Sequence, residues 1–290
     1  MSTILVTAAT GNVASHIVQQ LVTLGMQVRA AVRSVGKAKL PPEVELVEFD
    51  LARPDTVLAA FAGVERAFLA TPLVPNLVEL DQTCVEAAKA NNVQHLVKLS
   101  VMGADSEPDM LLGQLHFKSE QAIAQSGLAY TILRPNSFHQ NYITYCSDTI
   151  KSQNAFYLPL GEGRLSLVDL RDVAAVAGAV LTQPIANHVG KAYQVTGATA
   201  LSNHEVAAIL SEVLNRPIQY VDVPESAARE AMQAAGAPDR QIDMVLGLYA
   251  QQKAGHYSAI APTVEALTGH TPIPFAQFAQ DYADRFVASS

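Results

Sequence analysis

A stretch that favours extended backbone, Thr3–Thr7 (TILVT), runs straight into Ala8-Ala9-Thr10-Gly11-Asn12, and an apolar stripe at Val13, Ile17, Leu21 and Leu24 follows. The stripe has the spacing of one helix face, and Gly25 closes it as a C-terminal cap. A strand that becomes a helix through so short a loop constrains the chain more than any other feature. The helix must pack back on the sheet beside a parallel neighbour, with its N-terminus at the strand's carboxyl end. That end presents unpaired N–H groups and a partial positive charge, which suit an anion.

The same rhythm recurs. Further strands are expected at Gln27–Val32, Val44–Phe49, Arg66–Thr71, Gln94–Ser100 and Ala129–Arg134, with helical periods at Leu77–Asn91 and Phe117–Gly127 between them. Alternating strands and helices predict an α/β, doubly wound parallel sheet, with ligands outside the carboxyl ends of its strands. After about residue 150 the rhythm breaks. Short strands at Ala155–Leu160, Arg164–Val168 and Tyr193–Val195, and helices at Asp172–Leu181, Asn203–Leu214 and Ser226–Ala250, predict a smaller lobe. The expected division is a nucleotide-binding domain over 1–150 and a C-terminal α/β substrate lobe over 151–290, the two partly interleaved.

Hydrophobic residues make up 49% of the chain and charged ones 16%, enough for a large core. A net charge of −8 opposes binding to nucleic acid, whose phosphates would be repelled. No apolar run approaches a membrane span, and no leader pattern is read at the N-terminus. Cys84 and Cys146 lack metal-ligand spacing, and the histidines do not cluster, so no metal is expected. The expected setting is the cytoplasm, as a monomer or homodimer.

In a dinucleotide loop three glycines make the turn, clear the pyrophosphate and pack the helix on the sheet. Here those positions are Ala8, Gly11 and Ala14, so only the clearing glycine is kept. Alanine at 8 is tolerable with a negative φ and costly otherwise. Thr7, Thr10 and Asn12 add polar side chains. By itself the loop suits a dinucleotide or a ligand-free turn equally. The second strand tips the balance, because it ends Ala-Val-Arg33-Ser34, with Lys37 beyond and no carboxylate for a ribose 2′-hydroxyl. A guanidinium there suits a 2′-phosphate, hence NADPH, against the alternative of a solvated arginine. Asp50 and Leu51 end the third strand where an adenine would be met, and Ala70, Thr71 and Pro72 end the fourth beside a ribose.

Several segments together resemble the NmrA-like, atypical branch of the short-chain dehydrogenases/reductases: VTAATGNVASHIVQQL, AAVRS, VEFDLARPDTVLAAFAGVERAFLATP, VQHLVKLSVMGAD, HFKSEQAIAQSGLAYTILRPNSFHQN, LVDLRDVA and YQVTG. The resemblance implies a Rossmann-like fold and reduction of quinones, triphenylmethane dyes or azo dyes by NADPH, while some relatives are NAD(P)-sensing regulators. The ASHI segment is also similar to that of the iminium-reducing ergot alkaloid dehydrogenases. By the resemblance Thr7, Thr10, Gly11, Asn12 and Val13 form the pyrophosphate loop and Arg33 meets the 2′-phosphate. Asp50 and Leu51 border the adenine, and Ala70, Thr71 and Pro72 the ribose. Ser100, Val101 and Met102 lie under the nicotinamide, and Pro135, Asn136, Ser137 and Phe138 run along it.

The tyrosine of the short-chain Tyr-x-x-x-Lys pair is missing, since Gln114 stands four residues before Lys118. Glutamine is no general acid, so ordinary ketone reduction is disfavoured. Acceptors that are cationic or that disperse charge need less acid help, and quinones, imines, iminium ions and dyes qualify. Lys118 is expected as a ribose ligand or a solvated lysine. His116 is expected as a proton donor near pH 7 or as a surface histidine. His139 is expected to border the substrate or to face solvent, and Tyr142, Met244 and Tyr249, with Tyr145, Phe156 and Leu248, are expected to wall an apolar acceptor site or to be core. If the chain were a sensor, the apolar stretch Ala227–Ala250 would be its surface for a partner protein.

Overall fold

A computed structural model describes residues 3–106 and 110–287. In chain order the elements are β1 (Thr3–Val6), α1 (Asn12–Thr23), β2 (Gln27–Val32), β3 (Glu45–Glu48), α2 (Pro54–Ala60), β4 (Arg66–Leu69), α3 (Leu77–Ala90), β5 (His95–Leu99), α4 (Leu111–Ala124) and β6 (Tyr130–Pro135). There follow α5 (Ser147–Gln153), β7 (Ala155–Leu158), β8 (Arg164–Leu165), α6 (Leu170–Thr182), β9 (Lys191–Val195), β10 (Leu201–Ser202), α7 (Asn203–Val213), β11 (Gln219–Asp222), α8 (Glu225–Ala234), α9 (Asp239–Lys253), α10 (Thr263–Thr268) and α11 (Phe275–Asp281).

Seven strands form one parallel sheet in the order β3-β2-β1-β4-β5-β6-β9. The winding reverses between β1 and β4, where Val6 stands level with Phe68. Alternation along the strands sends side chains to two cores. Ile4, Val6, Val97 and Leu133 pack with Ile17 and Leu21 of α1 and Val173 and Val180 of α6. On the other face Leu5, Ala67, Leu69 and Leu96 pack with Val57 of α2, Cys84 and Ala88 of α3 and Ile123 of α4. Burial pushes both thiols, Cys84 in this core and Cys146 in the smaller lobe, up to about 12.

A third core gathers Tyr142, Phe156, Leu210, Tyr220, Phe275 and Phe278 in the smaller lobe, where β7 pairs with β11 and β8 with β10. Two segments expected in that lobe belong elsewhere. β9 extends the large sheet beside β6, and α6 covers the large sheet against α1. Its apolar residues Val173, Val176 and Val180 recur at helical spacing and need the cover that α1 supplies. α4 begins six residues before the expected Phe117, because Leu111, Leu112 and Leu115 extend the apolar face. The stretch expected as one helix over Ser226–Ala250 divides into α8 and α9 at Gly236, whose φ is +81°, and Pro238, while Gly247 lies within α9. No described helix is long and apolar enough to cross a membrane.

Candidate functional site

The reversal between β1 and β4 opens a crevice at the carboxyl ends of the strands. The β1–α1 loop forms its floor. Thr10, Gly11 and Asn12 are exposed there, Val13 is half-buried, and no side chain caps the start of α1. Within the helix the first backbone bond runs from the Ser15 N–H to the Gly11 carbonyl, so the preceding first-turn N–H groups are left to a ligand or solvent. Gly11 has an ordinary φ of −76°, so clearance is its use. A Cβ there would lie 3.1 Å from the Ala8 carbonyl oxygen, which also accepts the Gly11 N–H at 2.7 Å. Ala8 itself adopts a φ of +49°, the costly left-handed case. Ala14 is buried against the sheet without strain.

Arg33 is exposed just past β2, with no ion pair or hydrogen bond among the described residues, and Lys37 is exposed nearby. Past β3 the Asp50 carboxylate accepts the Ala52 N–H at 3.0 Å and Thr56 binds the Asp50 backbone, which fixes Asp50 and Leu51 in a half-buried turn. These features form an electropositive loop, a free guanidinium and a shaped turn along one edge. They fit a phosphorylated dinucleotide, with Gly11 as the cradle that a Cβ would obstruct.

On the opposite wall the side chains are committed inward. The buried Thr7 hydroxyl donates to the Ala70 carbonyl at 2.9 Å and accepts the Ala70 N–H at 2.8 Å, tying β1 to β4. Thr71 donates to Asp81 Oδ1 at 2.8 Å and accepts from Lys98 Nζ at 3.0 Å. Ser100 donates to Glu120 at 2.5 Å, and Glu120 accepts both Nε and Nη2 of Arg134 at 3.0 and 2.5 Å. Met102 is buried, and its carbonyl accepts the phenol of Tyr257 at 3.0 Å. Asn136 spans Ser166 and the Tyr257 carbonyl, while Ser137 accepts from Gln252 at 2.8 Å. Thus the buried Thr7, Ser100, Met102, Pro135 and Asn136 shape the crevice from behind, whereas Ala70, Thr71, Pro72, Val101, Ser137 and Phe138 keep some surface.

Three expectations need correction. Lys118 and Gln114 are both exposed on the outward face of α4, and no ion pair or hydrogen bond reaches Lys118 among the described residues. The inward face of that helix is His116, Ser119 and Glu120. His116 is buried, and burial together with the Lys98 charge pushes it down to about 3, so it carries no imidazolium to donate near pH 7. His139, Tyr142 and Met244 point into the protein rather than walling a site. His139 packs on Phe275 and Phe278, with Nδ1 3.7 Å from Asp169, and burial lowers it as well. Tyr142 donates to Asn203 at 2.7 Å and packs on Phe156. Tyr249 and Leu248 remain half-buried, and Tyr145 is 72% exposed in a π-helical turn over Tyr142–Cys146.

Sequence reading missed Asp81, Lys98, Ser119, Glu120 and Arg134. The signal was present for some of them. Asp81 falls in the stripe Leu77, Asp81, Cys84, Ala88, and Lys98 shares its face of β5 with the buried Leu96. A charge at a core phase must find a partner.

A model of the NmrA-like family matches residues 1–266. The chain belongs to the NmrA-like family. It is 37% identical over 288 residues to an NAD(P)H azoreductase of Xenophilus azovorans, covering 99% of this chain and 100% of that protein. Among solved structures, the NADPH-dependent quinone oxidoreductase of Escherichia coli complexed with NADPH superposes with a TM-score of 0.87 at 25% identity, over 97% of this chain and 99% of that one. The triphenylmethane reductase of Citrobacter sp. superposes with a TM-score of 0.85 at 26% identity, over 96% and 99% of the two chains. The doubly wound sheet with its added lobe is therefore the architecture of this NmrA-like family.

Proposed function

We propose that the protein is an NADPH-dependent reductase that transfers hydride to a conjugated or cationic small molecule: a quinone, an imine or iminium ion, or a dye. The observation that carries this is the uncapped start of α1 behind Gly11, with an unpaired Arg33 one strand away. Gly11 lets the backbone approach a pyrophosphate and Arg33 selects a 2′-phosphate. Bound in the crevice, the reduced nicotinamide supplies the hydride. Relatives named as an azoreductase, a quinone oxidoreductase and a dye reductase support the reading.

The chain's own residues explain why the acceptor must need little acid help. The tyrosine slot holds Gln114, Lys118 faces outward, and His116 is neutral. What remains is positioning: the walls hold the cofactor against an acceptor lodged near Val101, Phe138 and Tyr249. Residues 1–150 would supply most of the cofactor site and residues 151–290 most of the acceptor site, with β9 and α6 interleaved into the first. The protein would work in the cytoplasm as a monomer or homodimer, and its two buried thiols accord with a reducing compartment. The sensing alternative is the weaker reading, since α9 turns Ile242, Met244 and Leu246 inward and so removes them from any partner surface over Ala227–Ala250.

The test is a panel of quinones, azo and triphenylmethane dyes and cyclic imines, followed by loss of nicotinamide absorbance. Turnover with at least one class, faster with NADPH than with NADH, is the expected result. NADPH binding without turnover of any class would leave a sensor, and no binding would reject the reading altogether.

A further inference from the structure

The crevice wall at the end of β4 is held by an ion pair that stability alone does not explain. Lys98 on β5 and Asp81 on α3 are each 1% exposed at the side chain, with Nζ 2.9 Å from Oδ2. They sit on the face of the sheet that is otherwise filled by Leu96, Cys84, Ala88 and Ile123. An apolar pair of similar volume would fill such a place at no loss of stability, because desolvating two charges offsets most of their attraction. The geometry shows what the pair does instead. Lys98 Nζ donates to Thr71 Oγ1 at 3.0 Å and to Asp81 Oδ1 at 3.1 Å, Thr71 donates to Asp81 at 2.8 Å, and the Ser119 hydroxyl makes a close bond to Asp81 Oδ2. Just before Thr71 in the chain, Ala70 is held on both backbone groups by Thr7. The Ala70–Thr71 segment is thus clamped from β1 on one side and from β5, α3 and α4 on the other.

We propose that Lys98 and Asp81 are positioning residues, which fix through Thr71 the wall of the crevice that receives the nicotinamide half of the cofactor. The inference rests on the NADPH reading above. It makes the buried charges a device for rigidity at one end of the ligand and leaves the adenine end, built on Arg33 and Asp50, to the opposite edge. Lys98 Nζ donates to two acceptors and lies 2.9 Å from the second carboxylate oxygen, and both Asp81 oxygens have donors, so the cluster is built to hold its geometry.

Two variants test it. Thr71→Val removes the clamped hydroxyl while keeping the ion pair, and the double variant Asp81→Leu/Lys98→Met replaces the pair by apolar side chains and avoids leaving one charge alone. Each is titrated with NADPH and, separately, with adenosine 2′,5′-bisphosphate, which carries only the adenine end. The expected result is a weakening for NADPH of about tenfold in the double variant and about threefold in Thr71→Val. Affinity for the bisphosphate should stay within about twofold in both. The NADPH to NADH preference should also be unchanged, because the 2′-phosphate contact is not on this wall. A purely structural role would weaken both ligands together or neither, and either outcome overturns the proposal. If the unaltered protein bound neither ligand, the NADPH reading itself would fall, which is a distinguishable result.

Discussion

Ala8→Gly is the substitution whose sign depends most directly on the backbone. At a φ of +49° the Ala8 methyl is held in a left-handed conformation, which costs an L-residue roughly 1–2 kcal/mol. Glycine removes that cost but gives the unfolded chain more freedom, worth about 0.5–1 kcal/mol against folding. The balance is a stabilisation of about 0.5–1 kcal/mol, or roughly 1–3 °C in Tm for a chain of this size. Ala14→Gly, the other alanine at a loop-glycine position, must go the opposite way. Ala14 is 2% exposed inside α1, so glycine there loses about 1 kcal/mol of helix propensity and about 0.8 kcal/mol for a buried methyl. That totals about 2 kcal/mol, or a fall of roughly 4–8 °C. Thermal unfolding by circular dichroism at pH 7.5, with and without NADP⁺, checks both. An Ala8→Gly protein that melts below the unaltered one would refute the assignment of strain to this loop.

Other expectations follow from the same geometry. Arg33→Ala should raise the KM for NADPH by about tenfold or more and barely change that for NADH, since a charge-assisted phosphate contact is lost; equal effects on both coenzymes would remove Arg33 from the site. Lys118→Ala should leave kcat and the KM for NADPH within about twofold, because the side chain faces solvent; a large fall in either would restore it to the ribose. Breaking the buried Glu120–Arg134 pair by Arg134→Met should destabilise the fold by about 3–5 kcal/mol, read as a lower urea midpoint. His95 and His116 are held down to about 4 and about 3, mainly by burial. The unfolded chain therefore takes up these protons below about pH 6.5 while the native one does not, so stability falls as pH drops from about 6.5 towards 4. Asp172, pushed up to about 6 by burial, acts in the opposite sense over about pH 6 to 4. His116→Asn should flatten the acid limb and Asp172→Asn steepen it, as measured by urea unfolding from pH 4.5 to 7.5.

Local order was legible in the sequence. β1, the loop, α1 and the strands through β6 follow from short apolar runs and 3.6-residue stripes, which depend on neighbours in the chain. The positions of Gly11 and Arg33 were legible for the same reason, because each stands just past the end of a strand. Tertiary structure alone decided the rest. That β9 and α6 return to the large sheet depends on which apolar faces remain uncovered after β6. That Lys98 meets Asp81, and that His116 and His139 are buried and neutral, depends on burial and on charges brought together from separate elements. The backbone angle of Ala8 belongs with these, because a left-handed alanine persists only where the surrounding fold over-determines it.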